Sequence, residues 1–109
     1  MARRKPDLQK LVSLKRQKAE QAYLAAQQAH AGAEAERERL AGSLKDMDKS
    51  VADIDSLILS HQQGHARKLI RDIDVQHERV DEGARQVRSA RDVLQRAFDS
   101  EQRLKKSKE

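Results

Sequence analysis

Cysteine is absent from this 109-residue sequence, and proline, glycine and aromatic residues are scarce. Without cysteine there is no disulfide, no thiol nucleophile and no thiolate ligand for a metal. One proline and four glycines leave few positions at which a helix has to stop. One tyrosine and one phenylalanine supply too little aromatic surface for a compact interior. These absences favour long helices over a globular core.

Long apolar runs and catalytic motifs are also missing. No stretch approaches about 20 apolar residues, so no membrane insertion is predicted. The basic start MARRKPDLQK lacks the apolar run of a secretory signal, which favours a cytoplasmic protein. No glycine-rich phosphate loop, GxSxG or HExxH motif occurs, so an enzyme and a cofactor are not expected. His61 and His65 have the spacing of two metal ligands, but no third ligand is evident, and they are interpreted as polar turn residues.

The second half of the chain carries a sustained heptad pattern. Apolar residues recur at alternating steps of three and four, with polar residues between them, and this period predicts a left-handed coiled coil. Only Gln76, Gly83 and Glu101 depart from the apolar character of this seam. The predicted seam positions are Ala66, Leu69, Ile73, Gln76, Val80, Gly83, Val87, Ala90, Leu94, Ala97, Glu101 and Leu104.

The first half repeats the pattern less regularly. From Leu40 the heptads are clear, whereas the preceding segment is rich in alanine and is offset by a phase shift near residues 33–37. The polar segment of residues 60–65 contains Gly64 and is the best candidate for a turn. The sequence therefore predicts one all-α domain, residues 1–109: two long helices forming an antiparallel coiled-coil hairpin. Helix one is expected over about 5–60, the turn over about 60–65 and helix two over about 66–107.

This turn predicts residue pairs whose numbers sum to 127, with Leu44 opposite Gly83 and Ala33 opposite Leu94. In that register helix two ends opposite Ala19, and the residues before Ala19 overhang. The overhang and the C-terminal residues then form a strongly basic open end. The residues predicted to bind a partner there are Lys10, Lys15, Arg16, Lys18, Arg103, Lys105 and Lys106.

A basic end of this kind fits several partners. It could bind an acidic protein surface, since opposite charges favour fast, reversible association. Nucleic acid is less favoured because Tyr23 and Phe98 form no stacking platform. A membrane surface is less favoured because no Trp/Phe-rich face is present. A merely solvated charged end is the remaining interpretation.

The chain resembles the general stalk proteins of type III export systems, the FliJ/YscO family of flagella and injectisomes. The resemblance rests on the leucine-spaced basic start Leu8–Arg16, the Ala/Gln/Glu-rich run Ala19–Arg39 and a second helix dense in Arg and Gln. It implies an antiparallel helical hairpin whose open end enters the pore of the hexameric export ATPase. It also implies contacts with the export gate and export chaperones, and a location at the inner-membrane export apparatus. Two alternatives from other classes are a generic coiled-coil scaffold or dimerisation protein, and a basic nucleic-acid-binding helical protein.

Overall fold

The structure is a computed structural model that describes the backbone of residues 4–50 and 56–107 and the side chains of residues 7–47 and 63–107. Two helices account for this part of the chain: α1, Arg4–Ser50, and α2, Ser56–Ser107. They pack against each other, which confirms the predicted all-α hairpin. Their antiparallel direction is visible locally, because His30 lies beside Gly83 whereas Arg37, further along α1, lies beside His77.

The contacts between the helices group the chain into two compact units. The terminal unit comprises Met1–Ala29 and Ala84–Glu109, so it pairs the first part of α1 with the last part of α2. The central unit comprises His30–Gly83 and pairs the remaining parts of the two helices. Each unit therefore has its own two-helix seam.

The outer ends of both helices carry favourable residue types. Pro6 lies in the first turn of α1, where the missing backbone N–H leaves no helical hydrogen bond unmade. Asp7 follows it and complements the positive end of the helix dipole. Lys105 and Lys106 occupy the last turn of α2, where the dipole favours cations.

The predicted seam of α2 is confirmed. All twelve of its positions, from Ala66 to Leu104, are buried or half-buried, whereas nearly every other described side chain of α2 is exposed. Among the described side chains of this helix, Leu69 and Val80 are the most completely buried apolar residues. Gln76 is also buried, so it lies within the seam and is not available to an outside partner.

The seam of α1 is more regular than predicted. Its buried and half-buried residues include one continuous alternation of threes and fours, so the phase shift expected near residues 33–37 is wrong. The helix also continues through Gly32 and Gly42. The positions of this alternation are Gln9, Val12, Arg16, Ala19, Tyr23, Ala26, His30, Ala33, Arg37, Leu40, Leu44 and Met47.

Polar seam residues explain why this regularity was missed. Gln9, Arg16, Tyr23, His30 and Arg37 occupy every seventh position, so among the described residues one of the two seam columns has no aliphatic residue before Leu44. From Val12 to Met47 the other column is apolar and contains several alanines. Large polar side chains at a seam need small residues across from them, and His30 illustrates this by packing directly on Gly83.

The predicted turn and register are wrong. Residues 60–65 lie inside α2, and none of the described glycines has a positive φ. Gly83 faces His30 and not Leu44, a displacement of fourteen residues, or two heptads. A shift by whole heptads leaves the seam positions unchanged, which is why the seam was identified correctly and the partners were not. In the sequence, the heptads that begin at Leu40 continue to Val51, Ile54 and Ile58, which predicts that these residues also belong to the seam; their side chains lie outside the described residues.

The predicted overhang is wrong for the same reason. Arg16, expected to lie beyond the end of α2, donates a hydrogen bond to Glu101. Leu8 and Ser107 line a common groove, so α1 is paired with α2 from its second turn onward. The predicted overhang also includes Arg3, Arg4 and Lys5, whose side chains lie outside the described residues.

We expect Gly83→Ala to stabilise the protein much less than Gly32→Ala. Alanine favours a helix over glycine by about 1 kcal/mol, and an added Cβ at Gly32 meets nothing within 4 Å. At Gly83 the added Cβ would lie 3.0 Å from His30 Cδ2 and 3.3 Å from its Cα, and crowding of this kind costs about 1–3 kcal/mol. Urea denaturation of both variants measures the difference. In a His30→Ala background, which lacks the Cδ2 contact at 3.0 Å, Gly83→Ala should recover part of the gain, and equal stabilisation by both single substitutions would contradict this packing.

Candidate functional site

Charge is distributed very unevenly between the two units. The terminal unit contains fifteen Lys/Arg and six Asp/Glu residues, a formal charge of +9. The central unit contains eight Lys/Arg and twelve Asp/Glu residues, a formal charge of −4. The overall +5 therefore conceals one strongly basic segment, and this segment is the candidate site.

All seven residues predicted to bind a partner belong to the terminal unit. Six of them are exposed: Lys10, Lys15, Lys18, Arg103, Lys105 and Lys106. Arg16 differs, because it is half-buried in the seam of α1. The structure also brings the two helix segments together: Arg103 shares a groove with Leu8 and Val12, and Lys105 shares another with Gln9 and Ser13.

Arg16 is the centre of a charged cluster inside the terminal unit. Its Nε donates to Glu101 Oε2 at 2.6 Å, and its Nη1 donates to Glu20 Oε1 at 2.6 Å. Lys105 Nζ lies 3.5 Å from the other carboxylate oxygen of Glu101. Only 13% of the Glu101 side chain and 21% of that of Arg16 remain exposed. The cluster therefore ties α1 to α2.

The cluster changes the ionisation of its members. The hydrogen bond from Arg16 holds the pKa of Glu101 below its ordinary value, and the charges of Arg16 and Lys105 act in the same direction. Hydrogen bonds to Glu101 and Glu20 raise the pKa of Arg16. Arg16 is therefore bound within the helix pair, which leaves Arg103 and the lysines as the outward-facing part of the predicted site.

Acidification should destabilise the protein partly through Glu101. Its depressed folded-state pKa means that the ionised carboxylate stabilises the fold above its ordinary pKa of 4.5, and this contribution is lost as the pH falls through the lower folded-state value. We therefore expect the melting temperature to fall below about pH 4.5, and to fall less in Arg16→Gln. Arg103→Gln removes the same charge from the same unit and is the control. Identical acid dependence in wild type and Arg16→Gln would contradict the role of this pair.

The terminal unit also exposes apolar side chains that sequence reasoning did not single out as functional. Leu8, Leu11 and Leu14 are each more than half exposed, as is Leu24 further along α1. They lie off the seam, whose positions in this segment are Gln9, Val12 and Arg16. The leucine spacing was noticed in the sequence as part of a basic helix start. To place these leucines on the outer surface, one has to know which residues of α1 form the seam. The polar residues at every seventh seam position made that seam hard to recognise in the sequence.

Within the part of the chain that the structure describes, no group of His, Cys, Asp or Glu side chains could hold a metal ion. His65 is exposed on α2, and the side chain of His61 lies outside the described residues. Among the described residues, no helix is long and apolar enough to cross a membrane. The cavities described here are open grooves along the helix pair, lined by mixed polar and apolar side chains. Open grooves of this kind suit the binding of a partner along the surface of the helix pair.

No protein-family model matches the sequence. No curated protein and no solved structure matches it either. These comparisons identify no family, so the fold and the charged terminal unit carry the functional argument.

Proposed function

We propose that this chain is a non-enzymatic protein-binding hairpin that docks its basic terminal unit on an acidic surface of a partner protein. The observation that carries the proposal is the charge of +9 in the terminal unit against −4 in the central unit. A segregated charge of this size steers a molecule so that one particular part of it meets an acidic partner first. The exposed lysines of α1 and the last turn of α2 supply the positive surface.

The finer form of the proposal takes the acidic partner to be the hexameric ATPase of a type III export system. Its support is the resemblance of the sequence to the export stalk family. Two packed helices are roughly 20 Å across, given about 10 Å for each helix with its side chains, and this width suits a narrow axial channel. On this proposal the export gate and export chaperones are further partners, and the protein works at the cytoplasmic side of the inner-membrane export apparatus.

Nucleic acid is a second candidate partner because the same charge of +9 would attract phosphates. A protein partner is favoured because the basic surface is interrupted by exposed leucines, which phosphate groups do not require. Steeply salt-dependent affinity for DNA or RNA, retained in leucine variants, would favour the nucleic-acid alternative.

Reversing the charge of Lys10, Lys15 and Lys18 to glutamate should weaken partner binding strongly without unfolding the protein. All three side chains are exposed, whereas Arg16 is left intact because it bonds to Glu101 and Glu20. We expect the helical content to be retained, with affinity for the export ATPase reduced by about tenfold or more and its stimulation lost. Surface plasmon resonance at several salt concentrations and ATPase assays provide the measurements.

The matched control reverses Lys45, Arg67 and Lys68, which are exposed residues of the central unit and give the same change in net charge. This control should bind and stimulate like the wild type. If the folded Lys10/Lys15/Lys18 variant retains full stimulation, the basic terminal unit is not the docking surface. An equal loss in both variants would mean that total charge, and not its position, governs binding.

A further inference from the structure

Three exposed leucines form a continuous stripe on the outer surface of the terminal unit. Leu8 is 51% exposed, Leu11 57% and Leu14 59%. Their spacing of three residues makes successive members neighbours on the helix surface. At a rise of 1.5 Å per residue, the stripe is about 9 Å long. We call these three residues the leucine stripe.

The helix pair does not use the leucine stripe for its own packing. In this segment the seam of α1 is formed by Gln9, Val12 and Arg16. Leu8 borders the groove beside Ser107, whereas Leu11 and Leu14 lie further from the seam. Single surface leucines are ordinary, but three adjacent ones that stay more than half exposed form a patch typical of a protein-interaction surface.

Lysines surround this stripe. Lys15 lies four residues after Leu11 and Lys18 four residues after Leu14, so each is one helical turn from a leucine on the same face. Lys10 lies four residues before Leu14. All three lysines are exposed. An apolar strip with a cationic border is complementary to an apolar strip with an anionic border.

We propose that the leucine stripe seats an amphipathic partner helix whose apolar face is flanked by Asp or Glu. This rests on the proposed function, since it specifies the chemistry of the acidic surface on which the terminal unit docks. The leucines supply the buried apolar contact, and the lysines select acidic flanks and steer the encounter. A stripe of less than two helical turns matches the crossing of one helix over another.

An anionic membrane has a similar combination of charge and apolar interior, but the rest of this surface argues against it. The outer face of α1 continues beyond the stripe with Gln17, Gln21, Leu24 and Gln28, all exposed, so three of these four side chains are amides. A helix lying in a membrane interface would have to remove water from these amides over its apolar side. A crossing partner helix contacts the stripe and leaves the glutamines hydrated.

The test is selection from a displayed library of helical peptides against the intact protein, followed by affinity measurement on synthetic peptides by fluorescence anisotropy. We expect enrichment of peptides with apolar residues at helical spacing and flanking Asp or Glu. Leu11→Ala/Leu14→Ala should weaken their binding by about tenfold or more, since each leucine loses much of its buried apolar area. Leu24→Ala is the matched control, because Leu24 is on the same helix and 57% exposed but outside the stripe, and it should leave affinity unchanged.

The salt dependence of peptide affinity separates the apolar contribution of the leucines from the electrostatic contribution of the lysines. The leucine variant keeps every lysine, so its remaining affinity should show the same salt dependence as the wild type. The Lys10/Lys15/Lys18→Glu variant keeps every leucine and should lose both affinity and salt dependence. If the charge variant loses partner binding while the leucine variant keeps it, the proposed function stands and this inference fails. If the leucine variant loses peptide binding while the charge variant keeps it, the acidic-surface proposal fails, and with it the acidic flanks inferred here.

Several outcomes would overturn the inference. They are the absence of enriched peptides, enrichment of basic peptides, and equal affinity for the leucine variant and the wild type. Leucine-dependent binding to phosphatidylglycerol vesicles would assign the stripe to a membrane instead. Leucine-dependent self-association in sedimentation experiments would assign it to a second copy of this chain.

Discussion

Replacing Leu69 by alanine is expected to lower the free energy of unfolding by about 2–3 kcal/mol. Leu69 is 7% exposed, and Leu40, at 6%, occupies the corresponding seam of α1 in the central unit. A two-helix seam has no second layer of side chains that could move in to fill the cavity, so the loss of buried apolar surface is felt directly. Val80→Ala removes less volume at a buried position, and about 1–2 kcal/mol is expected there.

Chemical denaturation followed by far-UV circular dichroism measures these changes. Leu24→Ala is the control, because it makes the same substitution at a side chain that is 57% exposed, and its effect should stay within about 0.5 kcal/mol. Equal effects at Leu69 and Leu24 would show that the seam described here is not the stabilising contact. A large effect at Leu69 alone would support the pairing of the two helices in the central unit.

Gly64→Pro should cost about 3 kcal/mol or more, because Gly64 lies in the interior of α2. A proline there removes a backbone hydrogen bond and clashes with the preceding turn. Gly64→Ala should have the opposite effect, a gain of about 1 kcal/mol, since a Cβ at this position meets nothing within 4 Å.

The two substitutions at Gly64 together discriminate between a helix and a turn. If Gly64 were a left-handed residue at the end of a helix, alanine would be destabilising. Thermal melts of both variants give the answer. If Gly64→Ala destabilised the protein and Gly64→Pro did not, the results would support the turn that the sequence predicted over residues 60–65.

The location of the turn was the weakest inference from the sequence. Ser60 to His65 is polar and contains a glycine, but a helix tolerates a single glycine at a cost of about 1 kcal/mol. An exposed polar face of a helix has the same composition as a loop.

The position of the turn decided the register and, with it, the surroundings of the candidate site. Because heptads repeat every seven residues, pairings that differ by whole heptads place the same residues in the seam. The choice between them placed Arg16 either on an unpaired overhang or beside Glu101, and the second arrangement is found. A residue predicted to bind a partner thus became a link between the two helices, and the lysines near it became the accessible charges.

By itself, the sequence determined that this protein consists of two long helices with a twelve-position seam on α2, because apolar periodicity depends only on neighbouring residues along one helix. It also located the basic residues near the two termini. Only the tertiary structure decided which heptads face each other, that polar residues such as His30 belong to the seam, and that the leucine stripe remains exposed. These properties depend on contacts between helices that are distant in sequence. The heptad pattern does not determine these contacts, because two helices shifted by two heptads relative to each other keep the same seam positions.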